Sequence, residues 1–300
     1  MSEDQKKFGF VAVIGPPNAG KSTLANALIG QKVAIVTHKA QTTRARLRGV
    51  MMEAEAQIVL VDTPGVFEGK RKMDRAMVQE AWSGADDADA IAVVLDASRD
   101  LPKETEMVLE GIKETKKPVI LVLNKVDAVR PEKLLSLAEE LRHKADFKDI
   151  FMISALKEQG LTELRQSLAS MVPQGPWHYP EDMAADIPSL LLAAEITREK
   201  LFLRMHQELP YALTVETEKW TRQKDESVRI EQVIYVRRDT QKAIVLGKQG
   251  RSIKEIGGQA RLDMEEVFGH RVHLFFFVKV RDNWIEDPER MRMMGITSSL

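Results

Sequence analysis

Eight consecutive residues, Gly15-Pro16-Pro17-Asn18-Ala19-Gly20-Lys21-Ser22, match the spacing G-x-x-x-x-G-K-[ST]. A glycine-bounded loop of this kind between a strand and a helix aims successive backbone N–H groups at one point. The helix N-terminus adds a partial positive charge there. The ligand that fits is a polyphosphate. Lys21 is expected to reach its β- and γ-phosphates and the Ser22 hydroxyl to ligate Mg²⁺, with Thr23 following into the helix. A glycine-rich turn without a ligand gives no reason for a Lys-Ser pair directly after it.

Three further strings are spaced along the same half of the chain. Asp62-Thr63-Pro64-Gly65-Val66 ends an apolar stretch at 57–61. An acid at a strand's C-terminal end, beside a phosphate loop, supplies a second Mg²⁺ anchor, and the Gly65 N–H is placed to meet a γ-phosphate. Alone, an Asp-x-x-Gly string is often just a turn; its order after the phosphate loop gives it weight. Asn124-Lys125-Val126-Asp127 ends the stretch 118–123. A carboxylate at Asp127 can accept two hydrogen bonds from guanine, a donor pair that adenine lacks. Ser154-Ala155-Leu156 ends the next stretch, where a backbone N–H is expected to face the guanine carbonyl oxygen. Within 37–44, THKAQTTR, a hydroxyl is expected to cap Mg²⁺ and sense the γ-phosphate, with Thr43 preferred over Thr42. The catalytic set is then Lys21, Thr43, Asp62 and Gly65, and the metal set Ser22, Thr43 and Asp62. Val66 stands where Ras-like enzymes place a glutamine that orients water, so basal hydrolysis is expected to be slow.

These strings need strand ends to hold them. Runs rich in Val and Ile at 10–14, 57–61, 90–96, 118–124 and 150–153 read as buried strands. Helical patterns lie at 21–29, 75–84, 103–115, 131–143 and 161–171. That alternation predicts an α/β domain with a mostly parallel sheet covered on both faces, and 47–52 is suited to pair antiparallel with 57–61. The pattern breaks at Pro173. Prolines 173, 176, 180 and 188 mark a linker over 174–188, between a first domain at 6–173 and a second at 189–300.

The second domain reads α-β-β-α-α-β, with Gly247-Lys248-Gln249-Gly250 between two helices. Residues 228–261 carry an excess of five positive charges, although the 300-residue chain has a net charge of -1. A G-x-x-G loop in a basic α+β domain is the clamp of KH domains, here with two helices before the last strand as in the type II arrangement. Gly247, Lys248, Gln249, Gly250, Arg251 and Lys254 are its expected RNA contacts. Ile244, Val245, Ile253 and Ile256 read as core packing before base contact. The run 274–278, with three Phe, reads as a buried strand, and Trp284 as cover for an apolar edge. The chain has no cysteine, which excludes disulfides, zinc ribbons and thiol catalysis and fits a cytoplasmic setting. It has no apolar run of membrane-spanning length. The six histidines form no metal-ligand pattern.

GPPNAGKST at 15–23, KAQTTR at 39–44, DTPG, NKVD and SAL, followed by ELPY at 208–211, LGKQGRSIKEIG at 246–257 and VKVRDNW at 278–284, resemble the bacterial Era family of GTPases over nearly the whole chain. Pro16 departs from a position that is often basic in the family, and Gln249 from one that is often Gly. The resemblance implies GTP and GDP as ligands, Mg²⁺ as cofactor, and K⁺ held with help from Asn18. It also implies binding to the 3′ end of small-subunit ribosomal RNA, a role in 30S maturation, peripheral contact with the inner membrane, and a monomer. Other readings are an RNA-binding module with a relic nucleotide site and a GTPase directed at tRNA.

Overall fold

The computed structural model describes residues 5–39, 42–69, 71–181, 183–284 and 287–296. Ala40 and Gln41 of the 37–44 loop, and the chain ends assigned to the two domains, lie outside the described residues. The chain separates into two units, one of residues up to 34 with 43–186, the other of 35–42 with 187–296.

The first unit holds a six-stranded sheet in the order β2-β3-β1-β4-β5-β6. β1 (Lys7–Ile14), β3 (Ala56–Asp62), β4 (Ala90–Asp96), β5 (Val119–Asn124) and β6 (Asp149–Met152) run parallel, and β2 (Leu47–Glu53) pairs antiparallel with β3. The uninterrupted apolar strands are explained by two cores. Val11 and Val13 pack on one face with Leu24 and Leu28 of α1 (Lys21–Ile29) and Leu164 and Leu168 of α5 (Leu161–Met171). Ala12 and Ile14 point to the other face, toward α2 (Lys72–Asp87), α3 (Glu104–Lys113) and α4 (Pro131–Arg142). α2 extends three residues further at each end than its pattern predicts.

The described residues of the expected linker, as far as Asp186, do not hang free. They run with the first unit, where the fully buried Gln57 holds them: its Nε2 donates to the Tyr179 carbonyl at 2.8 Å and its Oε1 accepts from the N–H groups of His178 and Tyr179 at 2.9 Å. Further along, the Val50 N–H donates to the Ala184 carbonyl at 2.9 Å and the Asp186 N–H to the Arg48 carbonyl at 3.0 Å.

The second unit is a three-stranded sheet, β7-β8-β9, with α6 (Ser189–Arg204) and α8 (Arg251–Phe268) packed on it. β7 (Leu213–Arg222) and β8 (Val228–Val236) are antiparallel, and β9 (Val272–Val280) runs parallel to β8. α7 (Asp239–Leu246) precedes the Gly247–Gly250 turn, and α9 (Pro288–Met293) follows β9. Trp284 is fully buried, its indole N–H donating to the Ala212 carbonyl at 3.2 Å. The reading of 274–278 as a buried strand is corrected. Phe276 packs into the core, but Phe275 and Phe277 are 42% and 52% exposed, because alternate strand residues face opposite sides of the sheet. Val245 and Ile256 are core residues; Ile244 is exposed.

Candidate functional site

The loops after β1, β3, β5 and β6 lie at the C-terminal ends of neighbouring parallel strands, so one edge of the sheet collects all four strings. The first loop is shaped by contacts only glycine permits. A Cβ on Gly15 would sit 2.2 Å from the Val94 carbonyl oxygen. One on Gly20, which has φ +94°, would sit 2.3 Å from the Asn124 amide nitrogen. Lys21 is buried, and its ammonium donates to the carbonyls of Gly15 at 3.1 Å and Pro16 at 2.9 Å. Burial lowers its pKa to about 8, against the opposing attraction of Asp62.

Behind the loop three oxygens converge. The Ser22 hydroxyl donates to Asp62 Oδ2 at 2.7 Å and shares a hydrogen bond with the Thr43 hydroxyl at 3.0 Å, while Thr43 lies 3.4 Å from the same carboxylate oxygen. Asp62 Oδ1 is buried without a hydrogen-bond partner. Burial pushes the Asp62 carboxyl up to about 6, against the Ser22 bond, the Lys21 charge and the Thr43 bond. Two hydroxyls and one carboxylate with an orphaned oxygen fit a hard divalent cation such as Mg²⁺, which takes few protein ligands and completes its shell with phosphate and water. Among the described residues no group of three or more acidic or histidine side chains offers a rival cage. The Thr42 hydroxyl is engaged elsewhere, sharing a hydrogen bond with Thr37 Oγ1 at 2.7 Å and donating to the Lys39 carbonyl at 2.8 Å.

Gly65 lies against the phosphate loop so closely that a Cβ there would come within 2.9 Å of Pro17. The Val66 N–H donates to the Gly15 carbonyl at 3.0 Å, and its side chain is fully buried, turned into the core. Thr63 acts as an anchor: its buried hydroxyl donates to the Val13 carbonyl at 2.7 Å.

Asn124 is the joint of the base end. Its amide nitrogen donates to the Ala19 carbonyl at 3.0 Å, and its Oδ1 accepts from the N–H groups of Lys125 at 2.8 Å and Ala155 at 3.0 Å. The Ser154 N–H is bonded to the Gln159 carbonyl at 3.1 Å. Both N–H groups expected near guanine are thus engaged within the protein, that of Ser154 by the Gln159 carbonyl and that of Ala155 by Asn124. Lys125 donates to the Asn18 carbonyl at 2.9 Å and to Asp96 at 2.7 Å. Asp96, at the end of β4, is a site residue that no motif marks. Burial would raise its pKa, but bonds from Lys125 and Ser98 hold it below the usual carboxylate range. Asp127 is exposed on the turn Val126–Ala128, with its carboxylate open to a base.

In the second unit, Gly247-Lys248-Gln249-Gly250 forms a tight turn between α7 and α8. Gly247 and Gly250 have φ of +71° and +72°, and Gln249, unusually for a residue with a side chain, +54°. A Cβ on Gly247 would lie 2.6 Å from that of Ser252. Lys248, Gln249, Arg251 and Lys254 are exposed around the start of the 18-residue helix α8. A cavity of about 750 Å³ opens nearby, lined by Arg204, His206, Gln241, Ile244 and Ser252 among others. The loop thus presents cations, backbone and a helix N-terminus at one exposed place, the features of a phosphate-backbone clamp.

Comparison with known proteins gives two family matches, to the 50S ribosome-binding GTPase family over residues 10–125 and to the KH domain over 208–285. GTPase Era of Brucella suis is 59% identical, with 97% of this chain and 94% of that protein covered. GTPase Era of Rhizobium meliloti is 58% identical over 97% and 93%. Two solved structures superpose with a TM-score of 0.92 over 97% of this chain and 99% of theirs. One, 38% identical, is an Aquifex aeolicus Era variant bound to GDP·AlF4⁻. The other, 39% identical, is Era in complex with MgGDPNP and nucleotides 1506–1542 of 16S ribosomal RNA.

Proposed function

This chain belongs to the Era family of GTPases, and on that premise we propose that it is a GTP-switched RNA-binding protein that holds the 3′ end of small-subunit ribosomal RNA and serves maturation of the 30S subunit. The observation that carries the switch is the convergence of Ser22, Thr43 and Asp62, with Asp62 Oδ1 left unpartnered. Thr43 belongs to a loop and Ser22 and Asp62 to the rigid sheet edge, so a ligand at this point decides where the loop rests.

In this reading the P-loop N–H groups and Lys21 bind the phosphates, and Ser22, Thr43 and Asp62 hold Mg²⁺. When bound, Mg²⁺ neutralises charge on the phosphate oxygens. Asp127 selects guanine by accepting from its two donors. Gly65, pressed on Pro17, brings its N–H to the γ-phosphate. Val66 cannot orient the attacking water, which supports slow turnover without help. A potassium ion beside Asn18 would supply the missing transition-state charge. RNA is held by Gly247–Gly250 with Arg251 and Lys254, whose exposure and charge suit a phosphate backbone. Peripheral membrane contact and a monomeric state are part of the same proposal; among the described residues no helix is long and apolar enough to cross a membrane.

The test is RNA binding by the whole protein loaded with a non-hydrolysable GTP analogue or with GDP, using the 3′ terminal segment of 16S ribosomal RNA and a tRNA as competitor. Preference for the ribosomal segment, stronger in the GTP-analogue state, is expected. Equal capture of tRNA would overturn the substrate, and equal binding in both nucleotide states would overturn the switch.

A further inference from the structure

Arg46 lies three residues beyond Thr43, just ahead of β2. Its Nε is 2.8 Å from Glu80 Oε2, and its Nη1 is 2.8 Å from Asp87 Oδ2. Both acids are on α2, the helix that follows Asp62–Gly65 and its loop. The two halves of this fork differ in kind. Asp87 is exposed, and an ion pair there is an ordinary surface contact. Glu80 is 0% exposed, and Arg46 is only 20% exposed.

Glu80 also interrupts the buried stripe of α2, which otherwise reads Met73, Ala76, Met77, Ala81, Gly84 and Ala85. An apolar residue at that place would complete the stripe. Replacing a buried ion pair by packed hydrophobic side chains is often neutral or stabilising, so fold stability alone does not account for a carboxylate here. Gly84 gives the second observation. A Cβ on it would lie 3.1 Å from Arg46 Cδ and 3.2 Å from Thr63 Cγ2. The absent side chain leaves the space in which the Arg46 stem and the methyl of Thr63, the neighbour of Asp62, come together on α2.

We propose that Arg46 and Glu80 are positioning residues for GTP hydrolysis. Their buried pair latches the segment that carries Thr43 to the helix that follows Gly65. The inference rests on the reading of Thr43 and Gly65 as the two groups that meet the γ-phosphate. Without a latch each segment must be ordered separately by the nucleotide. With it, ordering one carries the other, and the energy of both contacts appears as preference for GTP over GDP.

The experiment compares wild type, Glu80→Gln, Arg46→Met and the double variant in the full chain with Mg²⁺. It measures affinity for a non-hydrolysable GTP analogue, affinity for GDP, and single-turnover hydrolysis. Each single variant is expected to lose about 10-fold in the ratio of analogue to GDP affinity, and the double variant no more, since the pair acts as one unit. GDP affinity and the melting temperature of the GDP-bound form should hold. Arg46→Lys, which keeps the charge but loses the fork, should recover part of the ratio, and it carries the comparison if Glu80→Gln does not fold. Equal losses for both nucleotides, additive losses in the double variant, or an unchanged ratio would each overturn the latch. Failure of wild type to hydrolyse GTP would instead overturn the functional reading.

Discussion

Replacing Asn124 by alanine removes three hydrogen bonds at once and leaves their partners behind. Those partners are the Ala19 carbonyl and the N–H groups of Lys125 and Ala155, bonded at 3.0, 2.8 and 3.0 Å. Asn124, Ala19 and Ala155 are all buried, so water does not readily replace the lost amide. At a net ~0.5–1.5 kcal/mol per bond, with orphaned buried groups costing more, the deletion should cost about 3 kcal/mol in total. That cost is shared between fold and ligand, because the amide joins the phosphate loop to both base-binding loops. If the loops stay in place in the free protein, the loss is read as a lower melting temperature. If they relax, it is read as weaker guanine-nucleotide binding, by up to ~100-fold for the full amount. The assay is calorimetric GDP titration combined with thermal melting with and without GDP. Asn124→Asp sharpens it: the acceptor for the two N–H groups remains, but an oxygen now faces the Ala19 carbonyl, so that variant should bind GDP poorly too. An alanine variant with GDP affinity within about three-fold of wild type and an unchanged melting temperature would refute the reasoning, since three bonds, two of them buried, would then be worth under ~1 kcal/mol.

Asp127→Asn replaces a double acceptor with a group carrying its own donors and should shift preference from GTP toward xanthosine triphosphate; wild-type binding of ATP as tight as that of GTP would remove the base assignment. Changing both Lys248 and Gln249 to Asp should weaken ribosomal RNA binding at least ~10-fold while leaving RNA-free GTP turnover near wild type, and RNA affinity that did not move would exclude this turn as the clamp. Turnover should be faster in potassium than in sodium at equal ionic strength, and Asn18→Ala should abolish the difference; equal wild-type rates in the two salts would rule the ion out.

The parts of the site legible in the sequence are those whose chemistry requires a residue type at a strand end. Gly15, Gly20 and Gly65 could be read because each sits in a fixed spacing, and the structure gives the reason: a carbonyl, an amide or a proline ring occupies the space of their Cβ. Asp96 could not, since a lone acid after an apolar strand resembles any turn; only the meeting with Lys125 gives it a part. Arg46 and Glu80 are separated by a strand pair and a loop, and nothing in their local patterns links them. The engagement of the Ala155 N–H depends on the side chain of Asn124, 31 residues away. In the second unit, three consecutive Phe hid the two-residue period of β9, so burial was expected where only alternate rings are covered.

The segment 174–186 has a consequence beyond connecting two domains. β2 is the outermost strand of the six-stranded sheet, and an outermost strand offers unpaired backbone groups to any other chain. Here residues 184–186 take up the outward-facing N–H of Val50 and carbonyl of Arg48, and Gln57 ties down the chain just upstream. The prolines fit such a strap, since a segment that covers a strand without extending the sheet has no need of a full row of donors. A nucleotide-binding fragment cut at 173 would carry a bare strand and three stranded hydrogen-bonding positions on a buried glutamine. One cut at 186 would keep both covered. The strap therefore closes part of an edge otherwise open to strand-to-strand pairing, and the first unit ends where the strap ends rather than where the last helix of the sheet does.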